Sequence, residues 1–247
     1  MRAKGTSARI TFKLAIAPVF AALVCIATIA FTVSVPATSG YFNIGETVIY
    51  VAALLFGPFV GAFAGGLGAA IADILVAPVF APGTLVIKSF EGAIVGFLNK
   101  KMFTKASKSS WRTYTSLLGV AVGALLSITG SLYYSGNVEL HIGIPPPETP
   151  TFAGFVPVEI WYFLGGAVAL LIIFTGFRVE PELGRAVFAI TVGGLEMVAG
   201  YFLYEQIILN KAAIVEIPIN IGQMLIGLIV AIPVVKIILR SLPQLKS

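Results

Sequence analysis

Charge is scarce in this sequence. Only 11% of its 247 residues are Asp, Glu, Lys or Arg, while 58% are hydrophobic. A soluble domain of that length needs a charged skin over its core, and too little is present to make one. Histidine is almost missing: His141 is the only one, which removes histidine-rich zinc or iron sites and the usual Ser-His triad. Cys25 is also alone and lies in the first apolar run, so neither a disulfide framework nor a thiolate metal site can be built within one chain. No nucleophile–base pair stands out either, which argues against an enzyme. No cofactor is implied.

Long apolar runs take the place of these features, and the mean hydropathy is +0.99. About 20 apolar residues cross a hydrocarbon core of roughly 30 Å. Spans are expected at 13–35, 46–57, 58–76, 84–99, 114–134, 155–177, 185–208 and 216–239. The first run is longer than a signal-peptide core, so it reads as a retained helix. The second is short, and 46–76 has an alternative as one long helix kinked at Pro58.

The basic residues decide between these two readings. With two passes joined at Gly57-Pro58 and the N-terminus inside, every basic residue except Lys88 and Lys211 falls in a cytoplasmic segment. With a single helix, the run from Lys100 to Arg112 falls outside, against the positive-inside rule. The expected fold is therefore an all-α integral membrane protein of about eight passes, one transmembrane domain over 1–247, with both termini cytoplasmic. The outer connections 36–45 and 77–83 carry almost no charge. The longer 135–154 contains Pro145-Pro146-Pro147, favours polyproline conformation, and reads equally as a lid or a connector.

Ionisable groups inside a bilayer are costly and by default mark a site or an internal pair. Here they are Asp73, Lys88, Glu91 and Glu196, with Glu46, Glu205 and Glu216 near span ends. The direction of each span puts Asp73, Lys88, Glu91 and the Glu216 end of the last span in the outer half, and the inner halves hold almost nothing polar. Glu216, Asn220 and Gln223 follow i, i+4, i+7 spacing and share a helix face. Lys88 and Glu91 are i, i+3 neighbours able to pair. Glu205 lies nine residues beyond Glu196, about half a turn around, so a straight helix cannot aim both at one pocket. Structural ion pairs and headgroup contacts are the plain alternatives for these groups. Small residues give a second pattern. Gly61, Gly65, Gly66 and Gly68, and the step from Ala17 to Ala21, allow close helix approach in lipid.

Several segments together resemble the substrate-binding S components of energy-coupling factor (ECF) vitamin transporters, the riboflavin-type members most closely. These are Asn43-Ile44-Gly45-Glu46, Ala52 through Pro58, Gly65-Gly66 to Ala72-Asp73, Gly83 through Lys88 with Glu91-Gly92, and Glu216-Ile217-Pro218 with Asn220 and Gln223. The resemblance covers about 13–100 and 185–240. It implies a six-helix core that binds a vitamin on the outer side, with an inserted helical pair at about 114–177. It also implies a prokaryotic cell-membrane location and no ATPase motif, and no Walker A loop is present. Implied partners are a transmembrane coupling subunit and two ATPases, with Ala17 and Ala21 matching the family's docking face on its first helix. The expected ligand contacts are Asn43, Glu46, Asp73, Lys88, Glu91, Glu196, Tyr204, Asn220 and Gln223. The rival from another class is a stand-alone secondary transporter or channel, in which the intramembrane acids relay ions.

The topology is testable directly. Reporters fused after Lys105 and Leu245 are expected in the cytoplasm, and one fused at Pro145 outside. A cytoplasmic signal at Pro145 would remove the hairpin at Gly57-Pro58.

Overall fold

The turn at Gly57 and Pro58 sets the path of the chain. Gly57 has a φ of 90°, a value that favours glycine, and Pro58 occupies the first turn of the next helix, where its missing N–H is harmless. The computed structural model describes residues 2–35, 38–101, 108–178, 181–208 and 210–246. In it α2 (Gly45–Phe56) and α3 (Pro58–Val76) are separate helices on either side of this turn. A Cβ at Gly61 would meet Ala53, and one at Gly65 would meet Ile49. Each step up one helix matches an equal step down the other, so the two run antiparallel as a hairpin.

The same test orders the rest. α1 is Arg2–Ala30, α4 Ala81–Lys101, α5 Lys108–Tyr133, α6 Val158–Arg178, α7 Pro181–Ile208 and α8 Glu216–Ser241. Gly61 faces Gly92 and Gly65 faces Lys88, which makes α3 and α4 antiparallel. Gly193 against Val95 and Gly200 against Ile87 do the same for α4 and α7, as Gly119 against Ala169 and Gly130 against Trp161 do for α5 and α6. Among the described residues, seven helices are long and apolar enough to span a membrane. The eighth, α2, has 12 residues and a length of about 18 Å. It is lined on one side by α3 and on the other by α8, so protein rather than lipid surrounds much of it.

Glycine carries these contacts because lipid supplies no hydrophobic drive between helices, and close backbone approach must replace it. A Cβ at Gly92 would lie 2.2 Å from the carbonyl oxygen of Gly61, and one at Gly123 would lie 2.4 Å from that of Gly165. Two apolar clusters result. One joins Ala17, Val24, Val60, Ala64, Val95, Leu98, Ile190, Leu228 and Ala231 toward the end that holds the Gly57 turn. The other joins Phe80, Ile87, Met197, Tyr201, Ile221 and Met224 with Val122, Leu126 and Ile172 of α5 and α6 toward the opposite end.

Two features differ from the sequence expectation. The first span leaves the helix at Ala30 and continues as a strand, because three of the four residues Thr32-Val33-Ser34-Val35 are β-branched. The outer connections, expected as irregular loops, instead form a small antiparallel sheet. β1 (Thr32–Val35), β2 (Gly40–Asn43), β3 (Gly136–Ile142) and β4 (Phe152–Val156) lie in the order β2-β1-β3-β4. Thr32 pairs with Asn43, Val33 with Ile142 and Glu139 with Ala153, so one sheet ties the two outer connections together.

The small face of α1 requires a correction. Ala17 and Ala21 are 1% and 7% exposed. A Cβ on Gly68 of α3 would lie 2.4 Å from the Ala21 carbonyl oxygen, so this face packs inside the chain and presents no docking surface. The side of α1 left exposed carries Leu14, Val19, Leu23 and Ile26.

Gly92→Val is expected to lower stability by about 1–3 kcal/mol or more, since the clash is with backbone and no side chain can swing away. Thermal unfolding in detergent measures it. An unchanged midpoint would show that α3 and α4 do not approach closely at Gly61.

Candidate polar cavity in the outer half

Five elements bring polar groups to one depth. Glu46 and Tyr50 are one turn apart on α2, and Thr84, Lys88 and Glu91 form a stripe on α4. Tyr201 and Glu205 are one turn apart on α7, Asp73 ends the small-residue stripe of α3, and Glu216, Asn220 and Gln223 line α8. All are buried, from 0% exposure at Tyr50 and Glu91 to 8% at Tyr201.

At the centre is Lys88. Its Nζ donates to Glu46 Oε1 and lies 3.2 Å from Glu91 Oε2. The Tyr50 hydroxyl donates to the other Glu91 oxygen at 2.7 Å. Above Lys88 the Tyr201 ring centroid lies 5.3 Å from Nζ, in cation–π range, and the Tyr201 hydroxyl shares a 2.7 Å bond with Thr84. Gly227 makes room for this cluster, because a Cβ there would press on Tyr50 at 2.7 Å and Glu46 at 2.9 Å.

A cavity of about 40 Å³ lies beside the cluster, enough for a few water molecules. Its wall includes Asn43, Asp73, Lys88, Asn220 and Gln223, five of the residues expected from the sequence. Gly40, Tyr41, Phe80, Tyr201, Glu205 and Glu216 complete it. Asn43 Nδ2 donates to Gln223 Oε1 at 2.6 Å, and Gln223 Nε2 donates to Asn220 Oδ1 at 3.0 Å. The stripe on α8 is therefore an amide chain anchored to the end of β2.

The β1–β2 hairpin closes the outer side. The Tyr41 hydroxyl donates to Asp73 Oδ1, and the Thr38 hydroxyl donates to Glu216 Oε1. Burial, and next the Asp73 carboxylate, hold the Tyr41 phenol above its ordinary range, which keeps it a donor.

Glu46 and Glu91 stand behind Lys88 and do not border the cavity. Glu196 is half-buried on α7, away from the wall, and its Oε2 has no hydrogen-bond partner among the described residues. Glu205 does border the cavity, as the half-turn between the two acids requires of a continuous helix. Tyr204 packs its ring on Gly83 and donates to the Val79 carbonyl at 2.8 Å, outside the wall. Neither Glu46 nor Glu205 reaches a headgroup layer, at 1% and 2% exposure. Tyr41, Phe80 and Tyr201 were not anticipated. Tyr201 had a signal, its i, i+4 relation to Glu205, whereas Tyr41 and Phe80 arrive through the hairpin and the turn before α4.

Comparison with known proteins agrees with this architecture. A family model described as ECF-type riboflavin transporter, S component, matches residues 10–179, from α1 through α6. The chain belongs to that family. It is thus a substrate-binding subunit of a membrane transporter, a multi-pass protein of a family of transport components and not of enzymes. A Pyrococcus woesei protein, described as an uncharacterized protein in gap 3'region, is 41% identical over 107 residues, covering 43% of this chain and 67% of the relative. No solved structure gives a significant match.

Lys88→Met is expected to destabilise the S component by about 3–5 kcal/mol, because it strands two buried carboxylates. The triple variant with Glu46→Gln and Glu91→Gln should recover most of that loss in thermal unfolding. Equal stability of the single variant and the wild type would mean that the ion pair is not buried as described.

Proposed function

We propose that this S component captures a small vitamin-like molecule from the outer side of a prokaryotic cell membrane. It then delivers the molecule inward as one subunit of an ATP-driven assembly with a transmembrane coupling subunit and two ATPases. The observation that carries this reading is a polar cavity floored by an apolar layer. Beneath Asp73 and Lys88 the helices meet through Val60, Ala64, Val95, Ile190, Leu228 and Ala231. A solute above such a floor finds no polar path among the described residues, so onward movement calls for a second subunit. A stand-alone channel or secondary transporter would instead need polar groups along its full depth.

In this reading Asn43, Asp73, Lys88, Asn220 and Gln223 touch the ligand, while Glu46 and Glu91 hold Lys88. Amide side chains donate and accept, which suits the carbonyls and ring nitrogens of a heterocycle. Ligand sites commonly need about 300–1,000 Å³, far more than this cavity offers, so in this reading the site widens when the ligand binds. The α5–α6 pair packs on itself through Gly119, Gly123, Gly130 and Gly165 and meets the other helices through Val122, Leu126 and Ile172, with the Tyr134 hydroxyl donating to the Val215 carbonyl.

Uptake is expected only when the coupling subunit and active ATPases are present. Uptake without them, driven by a proton or sodium gradient, would favour the secondary transporter. Asn220→Ala and Gln223→Ala are each expected to weaken binding of the copurifying ligand, identified by native mass spectrometry, about five- to 150-fold, or about 1–3 kcal/mol. Equal affinity by calorimetry would reduce the stripe to helix packing.

A further inference from the structure

We propose that the small outer sheet rests on the bilayer and seats the apolar face of β3 and β4 in the outer leaflet, in the space between α1 and α5. This surface is separate from the cavity and does not depend on what the cavity binds. The register of the sheet sorts its side chains. Val138, Leu140 and Ile142 alternate along β3 and so share a face. Leu140 pairs with Phe152, Ile142 with Val33, and Val33 with Phe42. Paired residues point to the same side, so this face is apolar across all four strands. On β3 and β4 the opposite face carries Asn137, Glu139, His141 and Ala153, with Phe155 as its one large apolar side chain.

The tethers set the height of these strands. Gly136 follows the end of α5 at Tyr133 by three residues, and Val156 precedes the start of α6 at Val158 by two. At its far end β3 is bonded to the outer end of α1. Ile142 pairs with Val33, three residues beyond Ala30, and the Gly143 N–H donates to the Thr32 carbonyl at 3.1 Å. Held at both ends by helix termini, the seven residues of β3 cross about 20 Å at the level of the membrane surface. Among the described residues α1 and α5 do not pack closely on one another, and no helix packs closely on β3 or β4. The apolar face is accordingly left open there, with Ile142 and Phe152 at 42% and 59% exposure.

Three observations point to lipid as the occupant. Phe42 lies on the same face, and a Cβ on Gly222 would be 3.6 Å from its ring. Gly222 shares the outward stripe of α8 with the exposed Ile226 and Ile229, so the sheet face runs into a helix surface turned toward acyl chains. Tyr133, Trp161 and Tyr162 stand at the outer ends of α5 and α6, and Tyr and Trp favour the headgroup level. Charge narrows the class further. No Lys or Arg occurs between Arg112 and Arg178, so nothing on this connection pairs with an anionic headgroup. The seat suits a neutral or zwitterionic leaflet.

The test uses the purified full-length chain carrying Cys25→Ser, spin-labelled at single cysteines in phosphatidylcholine nanodiscs. Leu140→Cys and Phe152→Cys report the apolar face, and Asn137→Cys and Glu139→Cys the opposite one. Collision with oxygen against a water-soluble nickel chelate gives the depth of each label. Labels on the apolar face are expected about 5–10 Å within the headgroup–acyl boundary, as interfacial amphipathic elements sit, and those on the opposite face in water. Val138→Cys and Ile142→Cys replace any variant whose melting midpoint falls. Equal depth on both faces would overturn the inference, as would nickel access at every position. Exclusion of both reagents from the apolar face would overturn it too, because it marks a protein partner. So would insertion that appears only after anionic phosphatidylglycerol is added.

Discussion

A lysine ammonium buried between two carboxylates is the constraint on which this molecule depends. Lys88 comes from α4, Glu46 from α2 and Glu91 from α4 again, so the pair joins two helices that are not neighbours in the chain. Taking such charges out of water is expensive, and their attraction offsets the cost only with good geometry and further hydrogen bonds. Tyr50 supplies one of those bonds and the Tyr201 ring covers the ammonium. The cluster therefore fixes the rotation of α2, α4 and α7 about their axes, and with it the direction in which the remaining polar residues face.

Below the cluster the described residues pack as an apolar layer. Glycine and alanine let the helices meet backbone to backbone, as at Gly61 and Gly92, which closes the inner half with few polar side chains. A short helix such as α2 survives in this setting because α3 and α8 flank it. The price in helix length yields a second passage of the chain within a small cross-section, and it brings Glu46 and Asn43 to the outer end beside α8.

Above the cluster the cover is made of backbone. β1 pairs with β2 on one edge and β3 on the other, so the hairpin over the cavity is continuous with the connection between α5 and α6. Tyr41 and Thr38 fasten that hairpin to Asp73 and Glu216 through hydroxyl–carboxylate bonds. These contacts involve the same acids that face the cavity.

Hydropathy and the placement of Lys and Arg were enough to determine the membrane class, the span order and the hairpin at Gly57-Pro58, because burial in lipid and the positive-inside bias act on each segment locally. Helical phase, equally local, separated Glu205 from Glu196 and aligned Glu216, Asn220 and Gln223. What tertiary structure decided is which neighbour each face meets. Ala17 and Ala21 look the same in sequence whether they await a partner or pack on Gly68, and only the position of α3 distinguishes the two. The pairing of Lys88 with Glu46, 42 residues away, and the arrival of Tyr41 over Asp73 were likewise not legible. A contact between distant segments leaves no periodicity in either one, so it exists only once the helices have packed.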